Sequence, residues 1–305
     1  MMPPIHQSVS PMKRRPGNLT GKNRVTADEN AVRLGAQALD MERREEAERV
    51  AREVLARNPQ HAGALHLLGV ALLSQGRARE AVAPIQQAAH DRNDALIETH
   101  LGKALRESGR MGEALVWLQR AATRTPLLSS TFHELGMLLA MQRRYDEAEA
   151  AFKRGLELAP TDAELSVELG GVYISRAEPA NAKLAFARAL SQAPGHPRAL
   201  HGFGTALLFE GEFARAAERF RQVLARNPSH VRARLDLGHC LLELGRFDEA
   251  AACLRAATNQ APQLHGKALK VLVSAGRGRF WLRPSAAATF LRSQATGWPD
   301  PSAAQ

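Results

Sequence analysis

The chain has 305 residues, of which 45% are apolar and only 5% aromatic, and two good helix formers, alanine and leucine, dominate the apolar set. It contains no apolar stretch of about eighteen residues or more, so no membrane span is predicted, and its basic N-terminus lacks the apolar core of a secretory signal. Two cysteines, Cys240 and Cys253, are too few for a disulfide framework and lack metal-site spacing. We therefore expect a cytoplasmic protein.

The formal net charge of +10 lies at the two ends of the chain. Residues 1–26 carry five basic residues and no acidic one, and residues 265–305 carry six basic residues and one acidic one. The long middle segment is therefore neutral, so it does not form a basic nucleic-acid surface. The N-terminal residues 1–27 are interpreted as a disordered basic arm.

A repeat with a period of 34 residues, once 33, fills the middle of the chain. In each unit an apolar residue precedes a glycine, an alanine follows twelve residues later, and in six of the seven units a proline follows after twelve more. The glycines are Gly35, Gly69, Gly102, Gly136, Gly170, Gly204 and Gly238; the alanines are Ala47, Ala81, Ala114, Ala148, Ala182, Ala216 and Ala250; the prolines are Pro59, Pro126, Pro160, Pro194, Pro228 and Pro262.

This spacing predicts two helices per unit. Glycine inside a helix costs about 1 kcal/mol relative to alanine, so a glycine at the same site of seven units indicates that a second helix approaches closely there. In six units a bulky apolar residue follows the alanine by four positions, on the same helical face, and the proline then ends the second helix. The segment Thr161-Asp162-Ala163-Glu164 is interpreted as a capping box that opens the first helix of the fifth unit.

The pattern resembles the tetratricopeptide repeat, and the resemblance covers residues 28–264. It implies an all-α, right-handed superhelical solenoid of helix–turn–helix repeats, followed by C-terminal capping helices. The predicted units are 28–61, 62–94, 95–128, 129–162, 163–196, 197–230 and 231–264. Residues 265–294 are interpreted as a degenerate repeat with capping helices, and residues 295–305 as a disordered tail.

In this family the first helix of each pair lines a concave groove, so the resemblance also implies a set of candidate partner-binding residues. They are His66, Val70, Thr99, His100, Lys103, Arg106, His133, Met137, Arg198, His201, Arg232 and His239. The histidines suggest either a metal-binding or pH-sensing ladder or a solvated amphipathic groove, and we favour the groove because no helix carries a metal-spaced pair. The basic members either grip an acidic peptide or belong to a mixed solvated face, because acidic residues interleave with them.

Other familiar chemistries are missing from the sequence. No unit pairs the lysine and asparagine of a carboxylate clamp, the asparagine ladder of glycosyltransferase-linked arrays is absent, and there is no phosphate loop or supported catalytic arrangement. We therefore expect no enzyme activity, catalytic residue, metal or cofactor, but a scaffold that binds a peptide or partner protein in the groove. Two alternatives stay open: an accessory subunit of a glycosyl- or sulfuryl-transfer or envelope-assembly system, and a peripheral nucleic-acid or membrane binder acting through the basic tails. The sequence identifies neither the partner nor the oligomeric state.

Overall fold

The computed structural model describes residues 21–91, 93–274, 288 and 291. In this part of the chain every regular element is helical, which confirms the predicted all-α repeat fold. The helices are α1 (Gly21–Asp40), α2 (Arg44–Arg57), α3 (Ala62–Ser74), α4 (Ala78–Asp91), α5 (Ala95–Glu107), α6 (Met111–Ala121), α7 (Ser129–Met141), α8 (Tyr145–Leu158), α9 (Ala163–Ser175), α10 (Pro179–Gln192), α11 (Pro197–Phe209), α12 (Phe213–Arg226), α13 (Val231–Glu243), α14 (Phe247–Gln260) and α15 (His265–Ser274), with a 3-10 turn at Pro262–Leu264.

The chain divides into two compact units, Met1–Trp117 and Leu118–Gln305. In the first unit α1 packs on α2 and α3 on α4, while α3 also lies against α2 and α1. In the second unit α7 packs on α8, α9 on α10, α11 on α12 and α13 on α14, and each first helix also contacts the next first helix. Consecutive helix pairs therefore stack within each unit, as expected for a repeat whose pairs cannot bury their apolar faces alone.

The ends of the chain differ from the prediction in one respect. Helix α1 begins at Gly21, so residues 21–27 of the predicted disordered arm are helical. Residues 1–20 and the predicted tail 295–305 lie outside the described residues, as does most of the predicted cap beyond α15.

The repeated glycine accommodates a bulky side chain from the second helix of its own pair. A methyl group on Gly136 would lie 2.6 Å from the Phe152 ring, and one on Gly69 would lie 2.0 Å from Ile85. The same relation, sixteen residues apart, joins Gly170 to Phe186, Gly204 to Phe220 and Gly238 to Leu254. The seven repeated alanines are all 0% exposed, so close helix contact explains both repeated small residues.

The turn inside each pair places one residue in the left-handed backbone region, seven positions after the repeated glycine. Four repeats have glycine there, for example Gly76 with φ of 75°. The other three carry Glu42, Arg143 and Ala177 with φ between 58° and 60°. The turn geometry is therefore kept even where a side chain opposes it.

The N-termini of five first helices are capped by side chains placed just before the helix. Three caps are histidines: Nδ1 of His61, His196 and His230 accepts a backbone N–H three residues on, at 3.0–3.2 Å. Asp94 and Asp162 cap α5 and α9. The predicted capping box is therefore wrong in register, because Asp162 and not the residue before it accepts from the backbone of α9.

This register predicts a difference between two adjacent substitutions. Asp162→Ala is expected to lower the free energy of unfolding by about 1 kcal/mol, because two backbone N–H groups of α9 lose their acceptor. Thr161→Ala is the matched control and should change stability by less than about 0.5 kcal/mol. Urea unfolding followed by circular dichroism measures both free energies of unfolding. Equal losses for the two variants would contradict the assignment of the cap to Asp162 alone.

Candidate functional site

The first helices α9, α11 and α13 of the second unit share one face, which we call the first-helix face. Between them lies a cavity of about 420 Å³, here called the α9–α13 pocket. It is lined by Val167, Gly171 and Ile174 from α9, Phe186 from α10, Arg198, His201, Gly202 and Thr205 from α11, and His230 and Arg232 at the start of α13. Three of the predicted groove residues, Arg198, His201 and Arg232, therefore meet at one pocket.

The floor of the pocket is apolar. Val167 and Phe186 are each 3% exposed, and a methyl group on Gly202 would lie 2.3 Å from the Phe186 ring. Gly171 is exposed, and a methyl group built there would meet nothing within 4 Å. The two glycines thus differ: Gly202 makes room for a ring below it, whereas Gly171 borders open space.

The α9 side of the pocket carries carboxylates that hold Arg198. Its guanidinium donates to Glu164 Oε2 at 3.2 Å and to Glu168 Oε1 at 2.7 Å. His196 also bonds Glu164 through Nε2 at 2.7 Å, and this hydrogen bond, together with the nearby positive charges, lowers the pKa of Glu164. Arg198 is therefore already neutralised, and the prediction that it grips an acidic ligand loses support.

The α13 side of the pocket is different because Arg232 is exposed and makes no hydrogen bond or ion pair with another described residue. Next to it, His230 caps α13 through Nδ1, and its ring lies 5.1 Å from that of His201. Burial first, and the neighbouring His201 second, lower the pKa of His230. His201 in turn bonds Asp236 Oδ2 through Nε2 at 2.9 Å, so Arg232 is the side chain best placed to receive a new anion.

In the first unit the predicted histidines form a direct pair. His66 Nε2 lies 2.7 Å from His100 Nδ1, and the rings stack with centroids 5.0 Å apart. Burial, followed by the positive charges of His66 and Lys103, lowers the pKa of His100 to about 3. His100 is therefore neutral at pH 7, and one ring nitrogen of the pair donates to the other.

The described residues contain no cluster of three or more His, Cys, Asp or Glu side chains that could hold a metal ion. Cys240 and Cys253 are free, and burial raises the pKa of the Cys240 thiol to about 12. The nucleophilic thiolate is therefore scarce at Cys240 at neutral pH.

The other predicted groove residues do not converge on the pocket. Thr99 is 1% exposed and donates to the Ala95 carbonyl, and the Arg106 side chain is 10% exposed and pairs with Glu107. Both therefore offer little surface to a ligand. Half-buried positions are held by Val70 on α3, Lys103 on α5, Met137 and His133 on α7, and His239 on α13. His133 Nε2 is buried and has no hydrogen-bond partner among the described residues, and His239 Nε2 lies 3.8 Å from Glu243.

The pocket also includes residues that the list of candidate groove residues lacks, among them Gly171, Gly202, Phe186 and His230. A signal for the glycines exists in the repeat itself. The position after the repeated glycine carries a side chain in all six remaining repeats: Ala36, Val70, Lys103, Met137, Thr205 and His239. The position two before it does so as well: Arg33, Leu67, His100, Glu134, Glu168 and Asp236. Only at Gly171 and Gly202 are these side chains missing, and both glycines line the pocket.

Family models described as "Tetratricopeptide repeat" match residues 32–96, 139–202 and 207–272, which together exceed half of the chain. The protein therefore belongs to the tetratricopeptide repeat family. Among curated proteins none matches the sequence. Within the described residues, no helix combines the length and apolar character needed to cross a bilayer.

Solved structures of similar fold are numerous. PilF of Pseudomonas aeruginosa is 22% identical with a TM-score of 0.60, covering 67% of this chain and 94% of that one. YrrB, described as a TPR protein with an unusual peptide-binding site, is 22% identical with a TM-score of 0.53, covering 61% and 96%. A thermophilic TPR protein of Thermus thermophilus, TTC0263, is 26% identical with a TM-score of 0.51, covering 59% and 99%. These likenesses establish the fold, which serves in general as a protein–protein interaction scaffold.

Proposed function

We propose that this protein is a non-catalytic scaffold that binds a peptide segment of a partner protein on the first-helix face of its second unit. The observation that carries the proposal is the α9–α13 pocket, which combines an apolar floor with polar side chains at its edge. Peptide-binding surfaces obtain affinity from such pockets and specificity from the charges beside them.

Two further considerations support a peptide as the ligand. The pocket lies on first helices of consecutive repeats, so an extended peptide segment can contact several repeats at once. YrrB, a protein of similar fold, is described as having a peptide-binding site. The accessory-subunit and tail-binding alternatives concern separate proteins or chain ends outside the described residues, and no observed contact favours either of them.

The proposal predicts that reversing one charge on the first-helix face removes partners. Arg232→Glu is expected to weaken capture of a partner about tenfold or more, because a group that accepts an anion becomes an anion itself. The matched control is Arg226→Glu, which makes the same charge change at an exposed site on the second helix α12. The measurement is affinity capture from extracts of the native host, with quantitative mass spectrometry of wild type and both variants.

Each result of this comparison is informative. Loss of a partner with Arg232→Glu but not with Arg226→Glu supports binding on the first-helix face. If the captured set is the same for all three proteins, or changes equally for both variants, the first-helix face is not the binding surface.

A further inference from the structure

No packing contact explains Gly171, a property that it shares with Gly266 at the start of α15 among the described helical glycines of the second compact unit. It lies in the interior of α9 and is exposed, and a methyl group in its place would meet nothing within 4 Å. The adjacent Gly170, by contrast, has the Phe186 ring 2.7 Å from the same built atom. A glycine inside a helix lowers its stability, and at position 171 no close contact offsets that loss.

The space above Gly171 is the mouth of the α9–α13 pocket. Gly171 and Gly202 both line this pocket, and both lack the side chain that the equivalent position of every remaining repeat carries. The remaining walls are apolar at the bottom, with Val167 and Phe186, and half-buried Ile174 stands beside them. The cavity of about 420 Å³ is large enough for one leucine or phenylalanine side chain with part of its backbone.

The charges around the pocket are unequally distributed. On the α9 side, Glu164 and Glu168 already bind Arg198, so an added carboxylate would meet two existing ones. On the α13 side, Arg232 is exposed and makes no hydrogen bond or ion pair with another described residue. An apolar side chain in the pocket can therefore have a carboxylate next to it toward α13 and not toward α9.

We infer that the α9–α13 pocket is a subsite for one aliphatic or aromatic side chain of the partner, flanked by a carboxylate that Arg232 binds, and that Gly171 keeps this subsite open. This inference rests on the proposed function and names the chemistry that the site recognises. It makes Gly171 a specificity-determining residue whose retention lowers stability in favour of binding.

The test uses small probes with the full-length protein. N-acetyl-leucine carries an isobutyl group beside a carboxylate, N-acetyl-leucinamide lacks the charge, and N-acetyl-alanine lacks the isobutyl group. Titrations followed by ¹H–¹⁵N NMR should shift the amide signals of Gly171, Thr205 and Arg232 with N-acetyl-leucine at a dissociation constant on the order of millimolar. N-acetyl-leucinamide and N-acetyl-alanine should each bind at least about fivefold more weakly than N-acetyl-leucine.

Variants of Gly171 separate the role of the open space from that of the fold. Gly171→Leu should abolish binding of N-acetyl-leucine, and Gly171→Ala should weaken it about threefold while raising the melting temperature. The matched control is Gly112→Ala in α6, an exposed helical glycine that also has nothing within 4 Å of an added methyl group. It should raise the melting temperature and leave binding unchanged.

The contrary outcomes are equally definite. Undiminished binding to Gly171→Leu, or probe-induced shifts confined to other surfaces, would overturn the subsite, and equal binding of acid and amide would overturn the role of Arg232. If Arg232→Glu still removes captured partners while no probe enters the pocket, the scaffold stands and the subsite fails. If the probes bind as expected while no partner depends on Arg232, the peptide-binding function fails and the pocket binds small carboxylates.

Discussion

Replacing Phe152 with alanine is expected to lower the free energy of unfolding by about 3–5 kcal/mol. The ring is 0% exposed, and in the gap left by the missing Cβ of Gly136 it joins α8 to α7. Removing it leaves a cavity between two helices whose backbones are already close. Gly136→Ala should cost about 1–3 kcal/mol for the opposite reason, because three ring atoms of Phe152 lie 2.6–2.8 Å from the added methyl group.

The double variant distinguishes specific complementarity from general loss of packing. In Gly136→Ala/Phe152→Ala the clash is gone and the new methyl group occupies part of the cavity, so the combined cost should be at least about 1 kcal/mol smaller than the sum. Urea unfolding by circular dichroism, with hydrogen exchange of α7 and α8, measures the cycle, because arrays of repeats need not unfold in two states. Met141→Ala, at a 54% exposed site on α7, is the control and should be nearly neutral. Strictly additive costs would contradict the fit of ring and glycine.

The helix pairs were predictable because their sequence signal is periodic. The glycine, the alanine and the bulky residue recur at fixed distances, and all of them lie in contacts between helices, where backbone spacing leaves few choices of side chain. Gly136 and Phe152 illustrate this, since each explains the other. The turn residue Arg143 shows the limit, because its left-handed backbone is fixed by its place in the repeat and not by its own preference.

The candidate site was less predictable because it depends on single units. The family rule named Arg198, His201 and Arg232 as groove residues, and all three line one pocket, but the rule could not show that Glu164 and Glu168 neutralise Arg198. The repeat pattern does show that the side chains of Gly171 and Gly202 are missing, but it does not show that both positions border one pocket. Gly171 lines the pocket, and only the structure shows that a methyl group added there would meet nothing within 4 Å.

Between pH 7 and pH 5, stability is expected to fall by about 2 kcal/mol through His100 alone. Its pKa is about 3 in the folded protein and 6.5 in a model peptide, because burial, His66 and Lys103 disfavour its charge more than Asp94 favours it. Below pH 6.5 the unfolded chain binds a proton at this histidine that the folded chain does not bind. Stability therefore decreases as the pH falls, and the loss continues toward pH 3.

A substitution isolates this contribution. His100→Asn keeps a polar partner for His66 Nε2 but cannot titrate, so its stability should fall by about 2 kcal/mol less than that of the wild type over the same interval. The control is His90→Asn, at an exposed site on α4, which should leave the wild-type slope unchanged. The interval avoids the titration of Glu48, whose pKa is about 2 in the folded protein against an ordinary 4.5, so that its contribution to stability is lost mainly at lower pH. Urea midpoints at half-unit pH steps measure the slopes. Identical slopes for wild type and His100→Asn would show that burial beside His66 does not keep the proton off His100.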